Sequence, residues 1–487
     1  MTAVKTLSPK ILSQLKESNI VVLGLGITGL SCVRFLHAQH INFTVNDSRE
    51  QPLNKEQKQA FQNDFPGVTI VTGCWDATLI NAADIILVSP GIDLRLLTQS
   101  INTSIDKLKE AGCQIWGDVE LYCRLTDTPI LAVTGSNGKS TVVSLLAHLG
   151  QQMGLNAVLG GNVGIPVLDH LDKDCTKKNR RKIDFLILEL SSFQLESLTS
   201  MHAIATTVLN VSDDHRDRHL TMENYKKIKN SIYHQGDTAV INRDDPLTYT
   251  THEQIVSFGS NEPQENNFGI KCINNEQYLV FGEQKLMAIS ELPLAGMHNA
   301  LNFLSALALG HSAQWSLTEM VKHFHSFKGL EHRCQTVNSH DDIVWINDSK
   351  ATNVGATLAA IEGIAATKNA NSKMILIAGG EGKGADFSPL TSAIKQHVNH
   401  IITLGKDGDE IGKLAQNTSK VSSLQEAVNI ARDLVSEKDI VLLSPACASI
   451  DMFKSFAERG EIFMQCITAS QDEKSIVNLE DKNTFNV

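Results

Sequence analysis

The sequence predicts an α/β protein of several domains, and two observations carry this prediction. The chain has 487 residues, which is several times the length that one hydrophobic core serves, so two to four domains are expected and three is the working number. Short apolar runs recur along it, each followed by glycine or polar residues and then by a segment of helical periodicity. This alternation is typical of parallel sheets covered by helices.

Seven apolar runs are the clearest predicted strands. They span residues 20–23, 85–88, 130–133, 185–188, 374–378, 401–404 and 440–443. Helical periodicity is clearest after Thr141, where apolar residues fall on one face. Two segments are predicted as surface insertions, the basic residues 172–182 and the asparagine-rich residues 260–276.

Composition excludes several classes of protein. The net charge is -11, from 54 acidic and 43 basic residues, so nucleic acid and anionic membrane are not expected partners. The nine cysteines include no C-x-x-C pair, which indicates reduced thiols rather than a disulfide framework or structural zinc. The chain has no run of about 18 apolar residues and no signal-peptide stretch, so a cytoplasmic protein is expected.

A phosphate loop is the strongest functional signal. The apolar run at 130–133 leads into TGSNGKST and then into an amphipathic helix. Gly135 and Gly138 let backbone N–H groups converge on phosphate oxygens, and Lys139 adds a positive charge. The hydroxyl of Ser140 can bind Mg²⁺ at the helix N-terminus. The first glycine of the general G-x-x-x-x-G-K-[ST] pattern is missing, and a chance glycine turn is the competing interpretation, which the order of strand, loop and helix disfavours.

Acidic residues and a histidine follow two further apolar runs. Glu189 stands at the end of one of them, where ligands of open α/β sheets collect, and its carboxylate can complete the Mg²⁺ shell begun by Ser140. The motif Asp213-Asp214-His215 follows the run at 207–211, and His215 could bind a second cation. Taken alone, each is more often a solvated residue; the preceding phosphate loop favours the metal interpretation for Glu189.

A second glycine loop lies near the N-terminus. Gly24, Gly26 and Gly29 follow the first apolar run and open a helix, and Asp47 ends the next strand, 18 residues beyond Gly29. The pattern is typical of dinucleotide-binding domains, so a nicotinamide-dependent oxidoreductase is a competing hypothesis. Such loops also hold other nucleotide diphosphates, and the chain has a separate ATP loop, so a nucleotide-linked substrate is favoured.

Three polar loops follow apolar runs in the C-terminal third. They contain Lys350, Lys383 and Ser449, and all three should line one edge of one sheet. Two cations, several hydroxyls and free N–H groups suit a small dicarboxylate or phosphate. Ordinary solvated lysines are the competing interpretation.

With these loops, the motifs TGSNGKST, LELSSFQLE, NVSDDH, GMHNALN, HRC, INDSKATN and SPACASIDMF make the chain resemble the Mur ligase family, from about Val21 to Phe463. The resemblance implies a Rossmann-like domain at 1–118 for a UDP-linked substrate and a central P-loop ATPase-like domain at 119–329 with a mostly parallel sheet. It implies a second Rossmann-like domain at 330–487 for an amino acid.

The resemblance also implies an activity. The implied activity is that of an ATP-dependent ligase of peptidoglycan precursor synthesis, and the enzyme is expected to be cytoplasmic and monomeric. The process serves cell wall biogenesis, cell shape and cell division. The match is closest to members that join D-glutamate to UDP-N-acetylmuramoyl-L-alanine through an acyl phosphate, releasing ADP and phosphate. Two Mg²⁺ ions, or Mn²⁺ in their place, are implied as cofactors. The D-N-P-R motif of the sister ligase for diaminopimelate or lysine is absent, which favours D-glutamate.

Residue roles are carried over from the resemblance position by position. ATP is expected at Gly135, Ser136, Asn137, Gly138, Lys139, Ser140, Thr141, Asn302, Arg333 and Asp348. The UDP-linked substrate is expected at Ile27, Thr28, Asp47, Ser48, Arg49, Ser89, Asn162, Ser191, Gln194 and His215. D-glutamate is expected at Lys350, Thr352, Lys383, Ser449, Ile450 and Phe456. Catalytic roles are implied for Lys139, His215 and Lys229, and metal binding for Ser140, Glu189, His215 and a carbamylated Lys229.

The chain departs from the family pattern at Cys334 and Gln335, which follow the His-Arg pair. Two alternatives besides the oxidoreductase stay open. A non-catalytic nucleotide-binding regulator leaves the loops of Lys350 and Lys383 without a task. A folylpolyglutamate synthase shares the T-G-x-N-G-K loop but does not need the N-terminal glycine loop.

Overall fold

The computed structural model describes residues 7–171, 182–212, 216–294, 296–339, 341–366, 368–369 and 371–480. It is an α/β protein with three mainly parallel sheets and one small antiparallel sheet. Every one of the seven apolar runs lies in a strand, which confirms the predicted fold class. Of the predicted basic insertion, residues 172–181 lie outside the described part of the chain. No helix that the structure describes is long and apolar enough to cross a membrane.

Two compact units divide the chain. The first consists of Met1–Val211, Arg218–Leu286 and Phe303–Phe324, and the second of Ser212–Asp217, Met287–Asn302 and His325–Val487. The first unit holds the two N-terminal parallel sheets. The second unit holds the C-terminal sheet.

The N-terminal sheet has five parallel strands in the order β3-β2-β1-β4-β5. The strands are β1 (Ile20–Leu23), β2 (Thr44–Asp47), β3 (Thr69–Thr72), β4 (Ile85–Val88) and β5 (Gln114–Trp116). The helices are α1 (Pro9–Glu17), α2 (Ile27–Ala38), α3 (Lys55–Asp64), α4 (Ala77–Asn81), α5 (Leu94–Ile101) and α6 (Ile105–Glu110). The central strands β1 and β4 are buried at every position, as is usual for parallel strands covered on both faces.

The central sheet has six parallel strands in the order β11-β10-β9-β6-β8-β7. The strands are β6 (Ile130–Thr134), β7 (Ala157–Gly161), β8 (Phe185–Glu189), β9 (Ala203–Val208), β10 (Gly236–Asn242) and β11 (Ile255–Phe258). The helices are α7 (Asp118–Leu125), α8 (Lys139–Gln152), α9 (Ser192–Leu195), α10 (Arg216–His219) and α11 (Met222–Asn230). The apolar run predicted at 207–211 is thus the end of β9 together with the residues that follow it.

A three-stranded sheet begins within the predicted asparagine-rich insertion. Its strands are β12 (Phe268–Ile273), β13 (Glu276–Phe281) and β14 (Gln284–Ala288), and β12 pairs with β13 antiparallel. Asn274 and Asn275 take φ angles of 53° and 65° at the turn between β12 and β13. Asparagine tolerates this left-handed region better than most residues. Asn274 and Asn275 therefore mark a hairpin turn within the predicted surface insertion, and the prediction did not include this hairpin. Helices α12 (Met297–Ser312) and α13 (Leu317–Lys322) follow.

The C-terminal sheet has six strands in the order β15-β16-β20-β17-β18-β19. They are β15 (Gln335–Val337), β16 (Val344–Asn347), β17 (Met374–Gly379), β18 (His400–Leu404), β19 (Thr418–Lys420) and β20 (Ile440–Leu443). Only the pair of β15 and β16 is antiparallel. The helices are α14 (Val354–Ala365), α15 (Thr391–His397), α16 (Gly408–Gly412), α17 (Leu424–Leu434) and α18 (Phe456–Glu480).

Short 3₁₀ helices occur along the described chain. They are Val167–Leu171, Ser231–Gln235, Pro246–Thr248, Ile289–Glu291, Phe324–Ser326 and Ser388–Leu390.

A buried carboxyl group stands at the start of α7. The side chain of Asp118 is 2% exposed, and its Oδ1 atom has no hydrogen-bond partner among the described residues. Burial raises the pKa of Asp118 to about 6, and the nearby charge of Asp169 acts in the same direction, although backbone hydrogen bonds at Asp118 and Val119 oppose them. This carboxyl group therefore gives up its proton at a higher pH in the folded state than in the unfolded state.

We expect Asp118→Asn to raise the melting temperature at pH 8 and to change it little at pH 4.5. The stability that Asp118 contributes is full below the unfolded pKa, near 4, and is lost as the pH rises through about 6. A shift of this size corresponds to about 1–3 kcal/mol, and asparagine removes the titration. Thermal unfolding of both proteins across this range tests the prediction. An equal difference in melting temperature at both pH values would contradict it.

Candidate active site

The strands of the central sheet bring three functional segments to one edge. Val133 pairs with Glu189 between β6 and β8, and Thr134 pairs with Val208 between β6 and β9. All three strands are parallel, so their carboxyl ends lie side by side. The phosphate loop, Glu189 and the segment after Val208 therefore leave the sheet as neighbours.

The phosphate loop has the backbone that its glycines predict. Gly135 and Gly138 take φ angles of 148° and 83°, and a Cβ atom on Gly135 would lie 3.0 Å from the Cβ atom of Leu209. Helix α8 begins after Gly138 without a side-chain cap, and the N-terminus of a helix is a favourable place for an anion. Lys139 donates from Nζ to the carbonyls of Gly135 (2.7 Å) and Ser136 (2.9 Å). The lysine therefore lies along the loop that is predicted to hold phosphate.

Asn210 holds the phosphate loop from the neighbouring strand, a role that the sequence analysis missed. Its Oδ1 accepts from the N–H of Asn137 (2.8 Å), and its Nδ2 donates to the carbonyl of Asn137 (3.2 Å). Its own carbonyl accepts from the N–H of Ser136 (2.9 Å). The only signal in the sequence is an asparagine within the apolar run at 207–211, which does not reveal the partner.

Glu189 presents one unpaired oxygen at this edge. Asn162 donates from Nδ2 to Oε1 of Glu189 (2.7 Å) and from its backbone N–H to the carbonyl of Glu189 (2.8 Å). The Oε2 atom is buried and has no hydrogen-bond partner in the part of the chain that the structure describes. A buried carboxylate oxygen needs a counter-charge, and carboxylates are the ligands that Mg²⁺ prefers. The residues at this position therefore fit a divalent cation.

Lys229 and Tyr225 of α11 contact the phosphate loop. Lys229 is 2% exposed, and its Nζ donates to the carbonyl of Gly135 (2.9 Å) and to the hydroxyl of Thr134 (3.4 Å). The same Nζ lies 4.7 Å from the centroid of the Tyr225 ring. The Tyr225 hydroxyl lies 3.2 Å from the hydroxyl of Ser136. The predicted ligand Lys229 is thus buried against the loop rather than solvated.

The predicted metal ligand His215 lies outside the described part of the chain, together with Asp213 and Asp214. Among the described residues, no three histidine, cysteine, aspartate or glutamate side chains cluster as a metal site. The roles predicted for His215 stay predictions.

The N-terminal glycine loop packs too tightly for side chains. A Cβ atom on Gly29 would lie 1.8 Å from the carbonyl oxygen of Gly24, so only glycine fits there. The hydroxyl of Ser89 lies against both glycines and, among the described residues, has no hydrogen-bond partner although it is buried. Helix α2 begins after Gly26 without a side-chain cap, and its first residue, Ile27, is 76% exposed. The loop therefore offers N–H groups and a hydroxyl to a ligand.

The carboxylate of Asp47 accepts hydrogen bonds from Leu25 and Arg49. Its two carboxylate oxygens accept four hydrogen bonds, from the N–H of Leu25 (2.7 Å) and from the backbone N–H, Nε and Nη2 of Arg49 (3.0, 2.9 and 2.6 Å). Burial by itself would raise the pKa of Asp47, but these hydrogen bonds outweigh it and lower the pKa. A carboxylate has about four acceptor positions. A ribose diol would have to displace Arg49 to reach this group.

The predicted substrate residues Ser191 and Gln194 shape the start of α9. The Ser191 hydroxyl accepts from the N–H of Gln194 (3.2 Å), and Oε1 of Gln194 accepts from the N–H of Ser191 (3.0 Å), which is a capping box. Behind them, Nε2 of the buried His219 lies 2.8 Å from the hydroxyl of Ser192. The position of this helix turn is therefore set by side chains from two segments.

The three other residues predicted at ATP lie in the second unit. Asp348 follows β16 and is 6% exposed, and its Oδ2 accepts from the Ser444 hydroxyl (2.8 Å). Burial raises the pKa of Asp348 to about 6, although the hydrogen bond from Ser444 and the charge of Arg333 act in the opposite direction. Asn302 lies in α12, where its Nδ2 donates to Oδ1 of Asn299 (3.4 Å).

The two departures from the family pattern are part of a tight turn. Cys334 has a φ angle of 43° and donates its N–H to Oδ1 of Asp348 (3.2 Å). The side chain of Gln335 accepts from the N–H of His332 (2.9 Å). Both residues thus have local hydrogen-bonding roles beside Asp348.

The loops of Lys350, Lys383 and Ser449 follow β16, β17 and β20, which are adjacent parallel strands. The prediction that they share one sheet edge is therefore confirmed. Nζ of Lys350 lies 3.6 Å from the centroid of the Phe456 ring. Lys383 has a φ angle of 54°, and Ser449 is 3% exposed. Two further predicted residues are Thr352, whose N–H donates to the Lys350 carbonyl (2.9 Å), and Ile450, which is 63% exposed.

Arg459 and Asp407 support these loops, and the sequence analysis missed both. Arg459 is 1% exposed and donates to the carbonyls of Ser349 (2.8 Å) and Cys447 (3.2 Å), which lie in two different loops. Burial lowers the pKa of Arg459 to about 10. Asp407 accepts from the N–H of Gly382 (2.6 Å). Arg459 belongs to no glycine-rich or strand-end motif, and Asp407 follows the predicted strand at 401–404 without a signal that reveals its partner.

Comparison with protein families assigns most of the chain. The model of the Mur ligase MurD-like N-terminal domain matches residues 18–117, and that of the Mur ligase middle domain matches residues 133–310. The model of the Mur ligase glutamate ligase domain matches residues 332–447. The three matches follow one another in the order of the three sheets.

Individual proteins agree with this assignment. The chain is 53% identical to the UDP-N-acetylmuramoylalanine--D-glutamate ligase of Colwellia psychrerythraea, over 95% of this chain and 99% of that protein. It is 42% identical to the ligase of the same name from Shewanella violacea, over 93% and 96%. The solved UDP-N-acetylmuramate-alanine ligase MurC from Thermotoga maritima has the same fold, with a TM-score of 0.58 at 17% identity over 93% of this chain and 100% of that one. The chain therefore belongs to the Mur ligase family.

Proposed function

We propose that this chain is the ATP-dependent ligase that joins D-glutamate to UDP-N-acetylmuramoyl-L-alanine, a step of peptidoglycan precursor synthesis. The observation that carries the proposal is the 53% identity over 95% of the chain to a protein of that name. The phosphate loop and the buried Glu189 beside it support the use of ATP with a divalent cation. We place the reaction in the cytoplasm and expect the 53.3 kDa chain to act as a monomer in cell wall biogenesis, cell shape and cell division.

The chemistry begins with activation of a carboxylate. An amine cannot expel an oxide dianion from a carboxylate, so the L-alanyl carboxylate first attacks the γ-phosphorus of ATP. This step forms an acyl phosphate and releases ADP. The amine of D-glutamate then attacks the acyl carbon, and the tetrahedral intermediate expels phosphate and loses a proton. The product is an amide.

The phosphate loop would stabilise the first step. N–H groups at the start of α8 and the charge of Lys139 would neutralise the transferring phosphoryl group, where positioning and electrostatics supply most of the catalysis. One Mg²⁺ ion, or Mn²⁺ in its place, would be held by Ser140 and Glu189. A second ion would be held by His215 and Lys229. Both ions would supply positive charge near the phosphate oxygens. The roles of Ser136, Asn137 and Thr141 in the loop, and of Asn302, Arg333 and Asp348, belong to the same proposal.

We propose that Lys229 is carbamylated. Burial disfavours the charged form of a lysine amine, and the neutral amine is the form that adds CO₂. The nitrogen attacks the carbon of CO₂, and loss of a proton gives a carbamate anion. That anion would turn a buried amine beside Gly135 into an oxygen ligand for a cation.

Each of the three substrates is assigned to a region of the chain. We assign residues 1–118 to the UDP-linked substrate, 119–329 to ATP and 330–487 to the amino acid. The UDP end would lie against Ile27, Thr28, Asp47, Ser48, Arg49 and Ser89, and the rest of that substrate against Asn162, Ser191, Gln194 and His215. D-glutamate would lie against Lys350, Thr352, Lys383, Ser449, Ile450 and Phe456.

The alternatives fit the site less well. A dehydrogenase would use Asp47 for the adenosine ribose of its cofactor, but it would not need the separate phosphate loop at residues 134–141. A regulator without catalysis would not need the loops of Lys350 and Lys383. A folylpolyglutamate synthase would not need the N-terminal glycine loop.

Phosphate release is the decisive measurement. The protein would be mixed with ATP, Mg²⁺ and UDP-N-acetylmuramoyl-L-alanine, and a panel of L- and D-amino acids would be added one at a time. We expect phosphate release with D-glutamate alone of the panel. Release with L-glutamate and not D-glutamate, or release that does not need the UDP-linked substrate, would overturn the proposal.

A further inference from the structure

Arg218 is a nearly buried cation that contacts two separate parts of the first unit. Its side chain is 9% exposed, and its Nη2 lies 2.5 Å from Oε2 of Glu196. Its Nε donates to Oε1 of the same carboxylate (3.4 Å), and its guanidinium lies 4.6 Å from the centroid of the Phe193 ring. On the other side, Nη1 donates to the carbonyl of Pro90 (3.4 Å). The guanidinium thus connects α9 with the segment that follows β4.

The two contacted parts carry the two halves of one proposed site. Pro90 directly follows Ser89, whose buried hydroxyl lies against the N-terminal glycine loop. Glu196 and Phe193 belong to the turn of helix that Ser191 and Gln194 begin. A ligand that reaches from the glycine loop to α9 would need these two parts at a fixed spacing.

We propose that Arg218 is a positioning residue that sets this spacing for the UDP-linked substrate. The inference rests on the proposed function, because only a substrate with a nucleotide at one end and an acyl group at the other spans both parts. Arg218 would not touch the reacting atoms. It would hold the Ser89 edge and α9 at the distance that lets one molecule contact both.

The chemistry of arginine suits this task better than that of lysine. The guanidinium is planar and carries five N–H donors in a fixed geometry, so it can bind a carboxylate with two donors and a carbonyl with a third. Its flat face also packs on the Phe193 ring. A lysine could keep the attraction to Glu196 but could not make all of these contacts at once.

The test compares a short ligand with a long one. Dissociation constants for UDP and for UDP-N-acetylmuramoyl-L-alanine would be measured by calorimetry on the wild type, Arg218→Met and Arg218→Lys. UDP should need only the N-terminal loop, so its affinity should change less than about twofold. The affinity for the full substrate should fall roughly 10- to 100-fold, because coupling between separate parts of a protein typically changes a binding constant by this much. The KM for ATP should stay unchanged.

Arg34→Met is the matched control. Arg34 also joins two segments of the first unit, through a 2.5 Å ion pair with Asp169, but it lies toward the end of α2 and away from the glycine loop. We expect it to bind both ligands like the wild type. Retained affinity for UDP in Arg218→Met would show that the variant has folded.

Each outcome decides a different question. Equal weakening of UDP and of the full substrate in both Arg218 variants would overturn the inference, and so would unchanged affinity for the full substrate. Equal weakening of the full substrate in the Arg34 control would also overturn it. A wild type that binds UDP-N-acetylmuramoyl-L-alanine no better than UDP would instead count against the proposed function.

Discussion

Lys139→Ala is expected to lower turnover at least ~10²-fold, the scale on which removing one preorganised electrostatic donor acts. Lys139 lies along the phosphate loop, where its Nζ reaches the carbonyls of Gly135 and Ser136. In the transition state, phosphate oxygens would replace these carbonyls as the partners of the Lys139 ammonium group. The effect should appear in the rate of ADP release measured with ATP, UDP-N-acetylmuramoyl-L-alanine and D-glutamate all present.

Two controls separate this effect from damage to the fold. Lys227→Ala removes an exposed lysine of α11 and should leave turnover unchanged. The Lys139→Ala variant should still bind UDP-N-acetylmuramoyl-L-alanine, because the N-terminal glycine loop is a separate part of the first unit. Near-normal ADP release by Lys139→Ala would contradict the assignment of the phosphate loop.

Lys229→Ala is expected to lower turnover at least ~10-fold, and a small carboxylate should restore part of it. The reason is the environment of Lys229, which is buried against Gly135 and Thr134 of the phosphate loop. If its carbamate binds a cation, formate or acetate can enter the space left by the side chain and supply an oxygen ligand. Turnover of the variant would be measured over a series of carboxylate concentrations.

The wild type provides a second test of the same residue. Removal of dissolved CO₂ should lower the turnover of the wild type and leave that of Lys229→Ala unchanged. Lys227→Ala, on the same helix but exposed, should behave like the wild type in both experiments. Full activity of Lys229→Ala without any added carboxylate would refute the carbamate, and so would a wild type that is insensitive to CO₂ removal.

Each unit supports one of its predicted ligand loops in a similar way. In the first unit, a side chain from the end of a neighbouring strand, Asn210, holds the phosphate loop through backbone hydrogen bonds. In the second unit, Asp407 holds the glycine loop of Lys383 through the N–H of Gly382. Such supports fix the loop backbone before a ligand arrives, which lowers the cost of binding.

Strands and glycine loops were predictable because their signals are local. All seven predicted strands are present, since an apolar run flanked by breakers reflects burial of those same residues. The positive φ angles of Gly135 and Gly138 follow from the need for backbone N–H groups to converge. The hairpin that β12 begins within residues 260–276 was not predicted, because composition alone does not reveal a hairpin with asparagine at its turn.

The amino-acid sequence by itself therefore determined the α/β class, the phosphate loop, the N-terminal glycine loop and the three C-terminal loops. Only the tertiary structure decided that Asn210 holds the loop of Lys139 and that Arg218 contacts both α9 and the segment after β4. It also decided that Oε2 of Glu189 is buried without a hydrogen-bond partner among the described residues. The physical reason is strand register. Which side chains meet depends on how strands far apart in the sequence pair, and no local pattern encodes that pairing.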